Sequence, residues 1–342
     1  MNDQLKNKNV TLAYGNGGQL MQQLINNLIK ANFGNPILNK LDDAAVLNGV
    51  GFREHLVFTT DSFVVSPIFF PGGDIGKLAV CGTINDLCMM GAKPLYLSLS
   101  MIIEEGFAFK DLERIVSSIK KTIKIAGVKI VCGDTKVVNK GNCDKIFINT
   151  SGIGSIDNRT NISASKAKPD DLIIVSGPIG EHGIAIISQR KGLGFKTKLK
   201  SDCAPLNDLV LNLMKYKNKI HVFRDPTRGG LASVLNEIAQ LSNVGIEVDE
   251  VKIPVSNAVK GASAILGLDP LYLPCEGRLV AVVSPDKMPQ ILNLMQKNKK
   301  GRGARVIGRI KAGHKKEVYL NTVIGGRRIL DLPIREQTPR IC

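Results

Sequence analysis

Tryptophan is absent, and all aromatic residues together make up only 5% of the chain. No helix-turn-helix, RNP or zinc-finger signature offsets that poverty, so a dedicated nucleic-acid role is not expected. Long hydrophobic runs are also missing. The start, MNDQLKNKNVTLAYGNGG, has no continuous apolar core of a secretory signal. The longest apolar stretches, such as PLYLSLSMII, are about half a membrane span. A soluble, cytoplasmic protein without a membrane partner is expected. Cysteine pairs with metal spacing are lacking too. The seven cysteines (81, 88, 132, 143, 203, 275 and 342) are odd in number, include no CxxC and match no zinc pattern. Most of them read as reduced core cysteines, and only Cys342 cannot be explained as core from its position: it ends the chain and is expected to be exposed and to pack nothing. Two nucleotide signatures are missing as well. GGDIGKL (72–78) is too short for a Walker A loop and has no Ser or Thr after Lys77, and no GxGxxG stands between a strand and a helix.

What is present is a basic chain of 342 residues with a formal net charge of +16. The lysines are scattered, with short clusters such as KNKKGRGAR (297–305). A surface that attracts nucleotides or acidic partner proteins explains that charge as well as nucleic acid does. The length favours two domains. Apolar periodicity predicts a helix over MQQLINNLIKANF, with Leu20, Leu24, Leu28 and Ile29 as its stripe. It predicts a second helix after Asp74, an N-cap, ending near Gly91, with Pro94 barring continuation. HLVFTT (55–60), LYLSLSMII (95–103), VKIVCGDTK and KIFINTSGIGSI (145–156) read as strands, and KDLERIVSSIKKTIKIAG as an amphipathic helix stopped at Gly127. The polar stretch 158–171 is the best domain boundary. A second α/β unit begins at LIIVSGPIGEHGIAIISQR, and RDPTRGG feeds a further helix.

Apolar segments run repeatedly into an aspartate: Asp42 and Asp43 in LDDAAVL, Asp61 in TTDS, Asp86 in INDLC, Asp134 in VCGDTK, Asp225 in RDPTRGG. A single aspartate after a strand is ordinarily a turn residue or cap. Several at one sheet edge repel one another, and a hard cation with a polyphosphate relieves that repulsion. Asn85-Asp86 is the strongest pair, because it lies inside an apolar helix where a buried charge must be paired or metal-bound. The residues alone therefore point to a Mg-nucleotide site without a P-loop, with the glycines of GNGG (15–18) and RGG (228–230) able to offer backbone N–H groups to phosphate.

Together, DDAAVL, TTDSFVVSPIFFPGGDIGKLAVCGTINDLCMMGAKPLYLSLSMIIEEGF, GDTKVV, GPIGEHGIAI, DPTRGGL and the terminal PRIC resemble the HypE family of carbamoyl dehydratases of hydrogenase maturation. That family belongs with aminoimidazole ribonucleotide synthetase, selenophosphate synthetase and thiamine-phosphate kinase. The resemblance implies an α/β (α+β) fold of two domains. An ATP-binding domain over 1–160 would contribute strands to a dimeric β-barrel-like core. A second α/β domain would span 161–330, and a mobile tail, 331–342, would carry the terminal cysteine. It implies ATP held by Asp42, Asp43, Asp61, Asn85, Asp86, Gly133, Asp134, Thr135 and Asp225, with Mg2+ on Asp43, Asp61, Asp86, Asp134 and Asp225. Cys342 would receive a carbamoyl group from the partner HypF. ATP would drive dehydration of that S-carboxamide to a thiocyanate, and the cyanide would pass to iron on HypC–HypD. Glu276 matches the family's acidic residue near the cysteine and is assigned as base, and Lys136 its lysine for charge stabilisation. The family commonly has a His where this chain has Tyr14, and Asn where it has Cys275. A tail of about eleven residues reaches roughly 35 Å at ~3.3 Å each, enough to visit both its own site and a partner. The alternatives are a small-molecule synthetase or kinase of the same superfamily, which would not need Cys342, and a non-catalytic ATP-binding scaffold.

Overall fold

The computed structural model describes residues 18–47, 54–190, 198–332 and 340–342, together with Thr11 and Tyr14. Most of the glycine motif at 15–18 and most of the tail therefore lie outside the described residues.

Two mixed sheets organise the molecule. The first joins β1 (Ala45–Leu47), β2 (Glu54–Phe63), β5 (Lys93–Glu104), β6 (Lys129–Val138) and β7 (Ile146–Asp157) in the order β1-β2-β7-β5-β6. Its pairs are antiparallel except β5 with β6. A small ribbon, β3 (Phe69–Phe70) and β4 (Gly73–Asp74), leads into the central helix. The second sheet has seven strands: β8 (Leu172–Val175), β9 (Ile220–Arg224), β10 (Gly245–Asp249), β11 (Val280–Val283), β12 (Arg305–Lys311), β13 (Val318–Asn321) and β14 (Arg327–Ile329). Their order is β14-β13-β10-β12-β8-β11-β9. The neighbouring strands β8 (LIIV) and β11 (VAVV) are apolar runs buried except for half-buried Leu172, as expected where a sheet is covered on both faces.

The helices α1 (Gln19–Leu24), α2 (Lys30–Phe33), α3 (Ile75–Met89), α4 (Phe109–Ala126), α5 (Glu181–Ile187), α6 (Asn207–Leu213) and α7 (Gly230–Ser242) pack around these sheets. α3 begins where the sequence predicts: the Asp74 carboxylate accepts from the backbone N–H groups of Gly76 and Lys77. Gly91 ends it with φ +76. Nearly every α3 residue is buried, because one face lies on the first sheet and the other on the second half of the chain. The helix sits so close to the sheet that a Cβ on Gly152 of β7 would fall 2.8 Å from Thr83 Cγ2.

The Asn85 amide is fully used at this junction. Its nitrogen donates to the carbonyls of Ala204 and Glu276, and its oxygen accepts from Leu206 N–H at 2.8 Å. Asn85 is thus a clamp between the halves rather than a nucleotide ligand, which corrects the expectation from its position beside Asp86. A buried amide is stable there because all its polar atoms have partners. The predicted N-terminal helix exists as α1 and α2 joined by a π-turn over Ile25–Ile29, but its stripe is not core. Gln22 and Ile25 border an open cleft instead.

Candidate active site

The cleft is assembled from distant parts of the chain. β2 carries Thr59 and Asp61. The Thr59 hydroxyl lies 2.9 Å from Asp86 Oδ2 on α3 and is placed to donate to it. The loop before β1 supplies Asp43, bound at 2.5 Å by Arg224 at the end of β9. Arg224 also pairs with Glu237 of α7, so one buried guanidinium bridges two carboxylates. Asp225 follows directly, and the turn after it leads into α7 through Gly229 and Gly230, both at positive φ. Only glycine fits at 230: a Cβ there would sit 2.6 Å from the carbonyl oxygen of Leu273. That approach locks the turn against the segment holding Glu276, and Cys275 N–H closes the contact on the Pro226 carbonyl at 2.8 Å.

The result is a cavity of about 320 Å³ lined by six carboxylates, those of Asp43, Asp61, Asp86, Asp225, Glu237 and Glu276. Among the described residues, Arg224 and Arg228 are the only basic ones in its walls. Burial pushes Asp43, Asp61, Asp86, Asp225 and Glu276 up, and repulsion from neighbouring acids adds to it at all of these but Asp61. Asp43 rises to about 6 by desolvation, with Arg224 opposing. Asp225 rises to about 8 by desolvation and then by the charge of Asp43. Asp86 and Glu276 are raised well above the carboxylate range, again by burial first. Asp225 Oδ2 and Glu276 Oε1 are buried without a hydrogen-bond partner. Acceptors left without partners at such cost call for a cation or a donor from outside the chain.

Cys342 lies in the same cavity. The expectation that the terminal cysteine is exposed and packs nothing is corrected: it is 9% exposed and joins the main hydrophobic cluster together with Ile341. Its Sγ is 3.2 Å from Arg228 Nε, and Arg228 also reaches Asp61 at 3.8 Å. Desolvation pushes the thiol up to about 11, with Arg228 acting in the opposite direction. In this seat Cys342 therefore holds its proton at neutral pH.

A larger cavity of about 830 Å³ shares Asp43, Thr59, Arg224 and Glu237 with the first, so the two form one continuous cleft. Apolar side chains such as Ile37, Leu38 and Phe58 line its far end, and His55 Nδ1 and Thr160 Oγ1 are buried there without partners. A roomy cleft with apolar and polar walls and a few unsatisfied polar atoms, continuous with a carboxylate-lined chamber, suits a nucleotide. Asp42 borders the larger cavity, but its carboxylate accepts from Ser163 Oγ at 2.7 Å and from Ala164 N–H. It ties the inter-sheet linker to the rim of the cleft.

Four predicted residues are not brought to the cleft within this chain. Gly133, Asp134, Thr135 and Lys136 lie on β6, the outer strand of the first sheet, and border neither cavity. Asp134 and Lys136 pair with each other at 2.8 Å on an open surface. Reading the sequence also missed Arg224, Arg228, Glu237 and Thr59. The two arginines flank Asp225 in RDPTRGG, and the need to balance buried carboxylates was the signal that could have found them.

The chain matches two family profiles, the N-terminal domain of AIR synthase related proteins over residues 41–156 and the C-terminal domain over 168–321. It is 47% identical over 339 residues to the carbamoyl dehydratase HypE of Bradyrhizobium diazoefficiens, covering 99% of this chain and 97% of the relative. Among solved structures it is similar to a HypE–HypF complex (TM-score 0.85, 49% identity, 91% of this chain and 99% of that one). It is also similar to HypE in complex with ATP (TM-score 0.81, 46% identity, 98% and 100%). A thiamine monophosphate kinase from Aquifex aeolicus, at 18% identity and TM-score 0.66 over 91% of this chain and 99% of that one, shares the fold alone.

Proposed function

This chain belongs to the carbamoyl dehydratase HypE family of AIR synthase related proteins, and on that premise we propose how its cleft dehydrates a carboxamide carried on its own Cys342. It is an ATP-dependent dehydratase of hydrogenase maturation. The larger cavity takes the nucleoside, and the phosphates point along the shared wall toward Cys342. The single observation that carries this reading is that the terminal sulfur sits in the same chamber as the raised carboxylates.

Mg2+ fits the donor set. The acceptors are all oxygens, two of them are buried without partners, and the cluster repels itself. Among the described residues no three of these groups close into a finished metal shell, which suits an ion that keeps phosphate oxygens and water. Asp43, Asp61, Asp86 and Asp225 would hold it, and it would neutralise charge on the transferring phosphoryl group.

The residues of the chain do the rest. The carboxamide oxygen takes the γ-phosphoryl group, which turns a poor leaving group into phosphate, and ADP departs. One N–H proton leaves as the O-phosphoryl imidate forms. The second leaves as the C–O bond breaks and the nitrile forms, releasing phosphate. Glu276, buried beside the sulfur, is the base for these protons. Burial keeps it protonated in the empty cleft, and a cation bound in the chamber would lower its proton affinity so that it is ionised when the carboxamide is in place. Arg228 orients the sulfur and offsets negative charge on the carboxamide oxygen and the phosphoryl group.

Homodimerisation belongs to the same proposal. β6 is an open edge bearing exposed Val131 and Val137, and Phe58, Tyr96, Ile102 and Ile153 add exposed apolar area on the first sheet. A second copy pairing there would complete the barrel-like core and bring Asp134 and Lys136 toward the neighbouring cleft. HypF as carbamoyl donor and HypC–HypD as cyanide acceptor are the proposed partners, and the cytoplasm the compartment. No described helix is long and apolar enough to cross a membrane. We keep 1–160, 161–330 and 331–342 as the proposed division of the chain.

Intact-protein mass spectrometry tests the reading. Incubation with HypF, carbamoyl phosphate and ATP should add one carbamoyl group, and Mg-ATP should then remove one water. Both shifts should vanish in Cys342→Ala. ATP turnover that survives Cys342→Ala with a free small substrate would instead favour the kinase-like alternative.

A further inference from the structure

The last three residues are held by groups that neither the nucleotide nor the dehydration requires. Val64 N–H donates to the Cys342 carbonyl at 3.3 Å and Ser66 N–H to the Arg340 carbonyl at 3.1 Å, an antiparallel pairing of the tail with the segment after β2. Arg340 lies at φ +50, a turn that few side chains adopt freely. The turn sends its guanidinium outward to Asp144, at 2.5 Å, while Nε donates to the Val64 carbonyl. Arg190 donates to the carbonyls of both Ser66 and Arg340 at 3.2 Å, stapling the two segments together.

Between them, Ile341 turns into the core, and its carbonyl meets His182 Nε2 at 2.8 Å. His182 is fully buried on α5, edge-on to Phe70. A carbonyl accepts only, so Nε2 carries the proton; Nδ1 then accepts from Ser201 Oγ at 2.8 Å, and Ser201 Oγ accepts from Cys203 N–H. The ring is locked in one neutral tautomer whose free N–H points at the tail.

We propose that His182 and Asp144 are positioning residues for the carrier: His182 grips the backbone at Ile341, Asp144 reads the Arg340 side chain, and together they seat the sulfur against Arg228. The proposal rests on Cys342 being the carrier. Its consequence is a two-station tail. Seated, the sulfur is enclosed in the cleft; a carbamoyl donor outside reaches it only when both grips open. Arg340 is then a recognition residue for the chain's own cleft, and its replacement disturbs seating without touching nucleotide binding.

Pulse labelling of the full-length protein with N-ethylmaleimide tests this without ATP or partner, so its failure is separable from failure of the carrier reading. Mass spectrometry of the Glu-C peptide ending at Cys342 reads the rate, with Cys88, which is buried, as the protected reference and the same protein unfolded in urea as the exposed one. Wild type should label Cys342 far more slowly than the unfolded chain does. Asp144→Asn and Arg340→Ala should each speed Cys342 about five-fold, the scale of one partly exposed ion pair. The charge swap Asp144→Arg with Arg340→Asp should return to within about two-fold of wild type if the pair is direct. His182→Phe should speed labelling roughly ten-fold or more, because a buried carbonyl loses its donor. His182→Gln, which keeps an N–H near Nε2, should restore most of the protection. Cys88 should not change. Equal rates for Cys342 in the folded and the unfolded wild type overturn the proposal. So does an unmoved Cys342 rate in the Asp144 and Arg340 variants, whatever the His182 variants do.

Discussion

Asp61 and Asp134 look alike in sequence, each set in a strand that runs into an acid, yet they sit in opposite surroundings. Asp61 is on β2 beneath α3 and the C-terminal tail, and burial raises its carboxyl above the ordinary range despite Arg228. Asp134 is on the outer strand β6, where the hydrogen bond from Lys136 lowers it. One acid is held where charge is costly and a cation would be welcome; the other is already satisfied by its neighbour and water. The local motif sets where an acid stands along a strand. What packs over the strand decides whether that acid stores repulsion for a ligand to relieve.

The largest effect should come from the buried side of this comparison. Glu276→Gln keeps the shape of the side chain and removes its capacity to accept a proton. Dehydration should fall by about 10²–10⁴-fold, the range for loss of a positioned base. Carbamoylation of Cys342 should persist, since that step needs only the sulfur and the donor. Intact mass should therefore stall at the carbamoylated species with no loss of water. If the water is lost at the wild-type rate, the raised carboxylate is a structural acid and the proton leaves by another route.

A smaller but more discriminating effect concerns the exposed side. Lys136 borders no cavity of its own chain, and the dimer reading makes it serve the neighbouring cleft. Glu276→Gln and Lys136→Ala should each be inactive alone. Mixed and allowed to exchange subunits, they should recover about a quarter of wild-type activity, because half the dimers are mixed and one of their two clefts is intact. No recovery, with mixed dimers demonstrated by native mass spectrometry, would place Lys136 in its own cleft or outside catalysis.

Much of this was legible in the sequence because its carriers are local. Asp74 capping α3, Gly91 and Gly127 closing helices, and the strands that end in acids follow from short-range periodicity and turn chemistry. The convergence of Asp43, Asp61, Asp86 and Asp225 was also readable, because too many acids at strand and helix ends need a common explanation. What failed was whatever depends on long-range contact. Asn85 looked like a ligand because it adjoins Asp86, but one helical position turns it about 100° away, onto the backbone of the other half. Cys342 looked free because nothing follows it, and the partners that seat it, Val64, His182 and Arg228, are distant in sequence. Arg224 and Arg228 were quoted within a motif but left without roles, since a guanidinium acquires one only when its acids are placed.

The mildest test uses stability rather than turnover. Asp225 holds its proton up to about pH 8 and Asp43 up to about 6 in the folded chain, whereas both ionise near their ordinary value of 3.8 once unfolded. Above that value the unfolded state binds fewer protons than the folded one, so stability falls as pH rises, and the fall ends once pH passes the folded values. The apo protein should therefore lose a few degrees of Tm between pH 5 and 8. Asp225→Asn should flatten the slope, because its side chain no longer titrates. Mg-ATP should flatten it too, by binding the ionised cluster and adding most stability at the alkaline end. The exposed acid gives the control: Asp134 is lowered, so Asp134→Asn should leave the slope above pH 5 unchanged. A wild-type Tm that is flat or rises across this window would mean that the carboxylates are already neutralised in the apo protein, and the contrast between the cleft and the outer strand would lose its electrostatic basis.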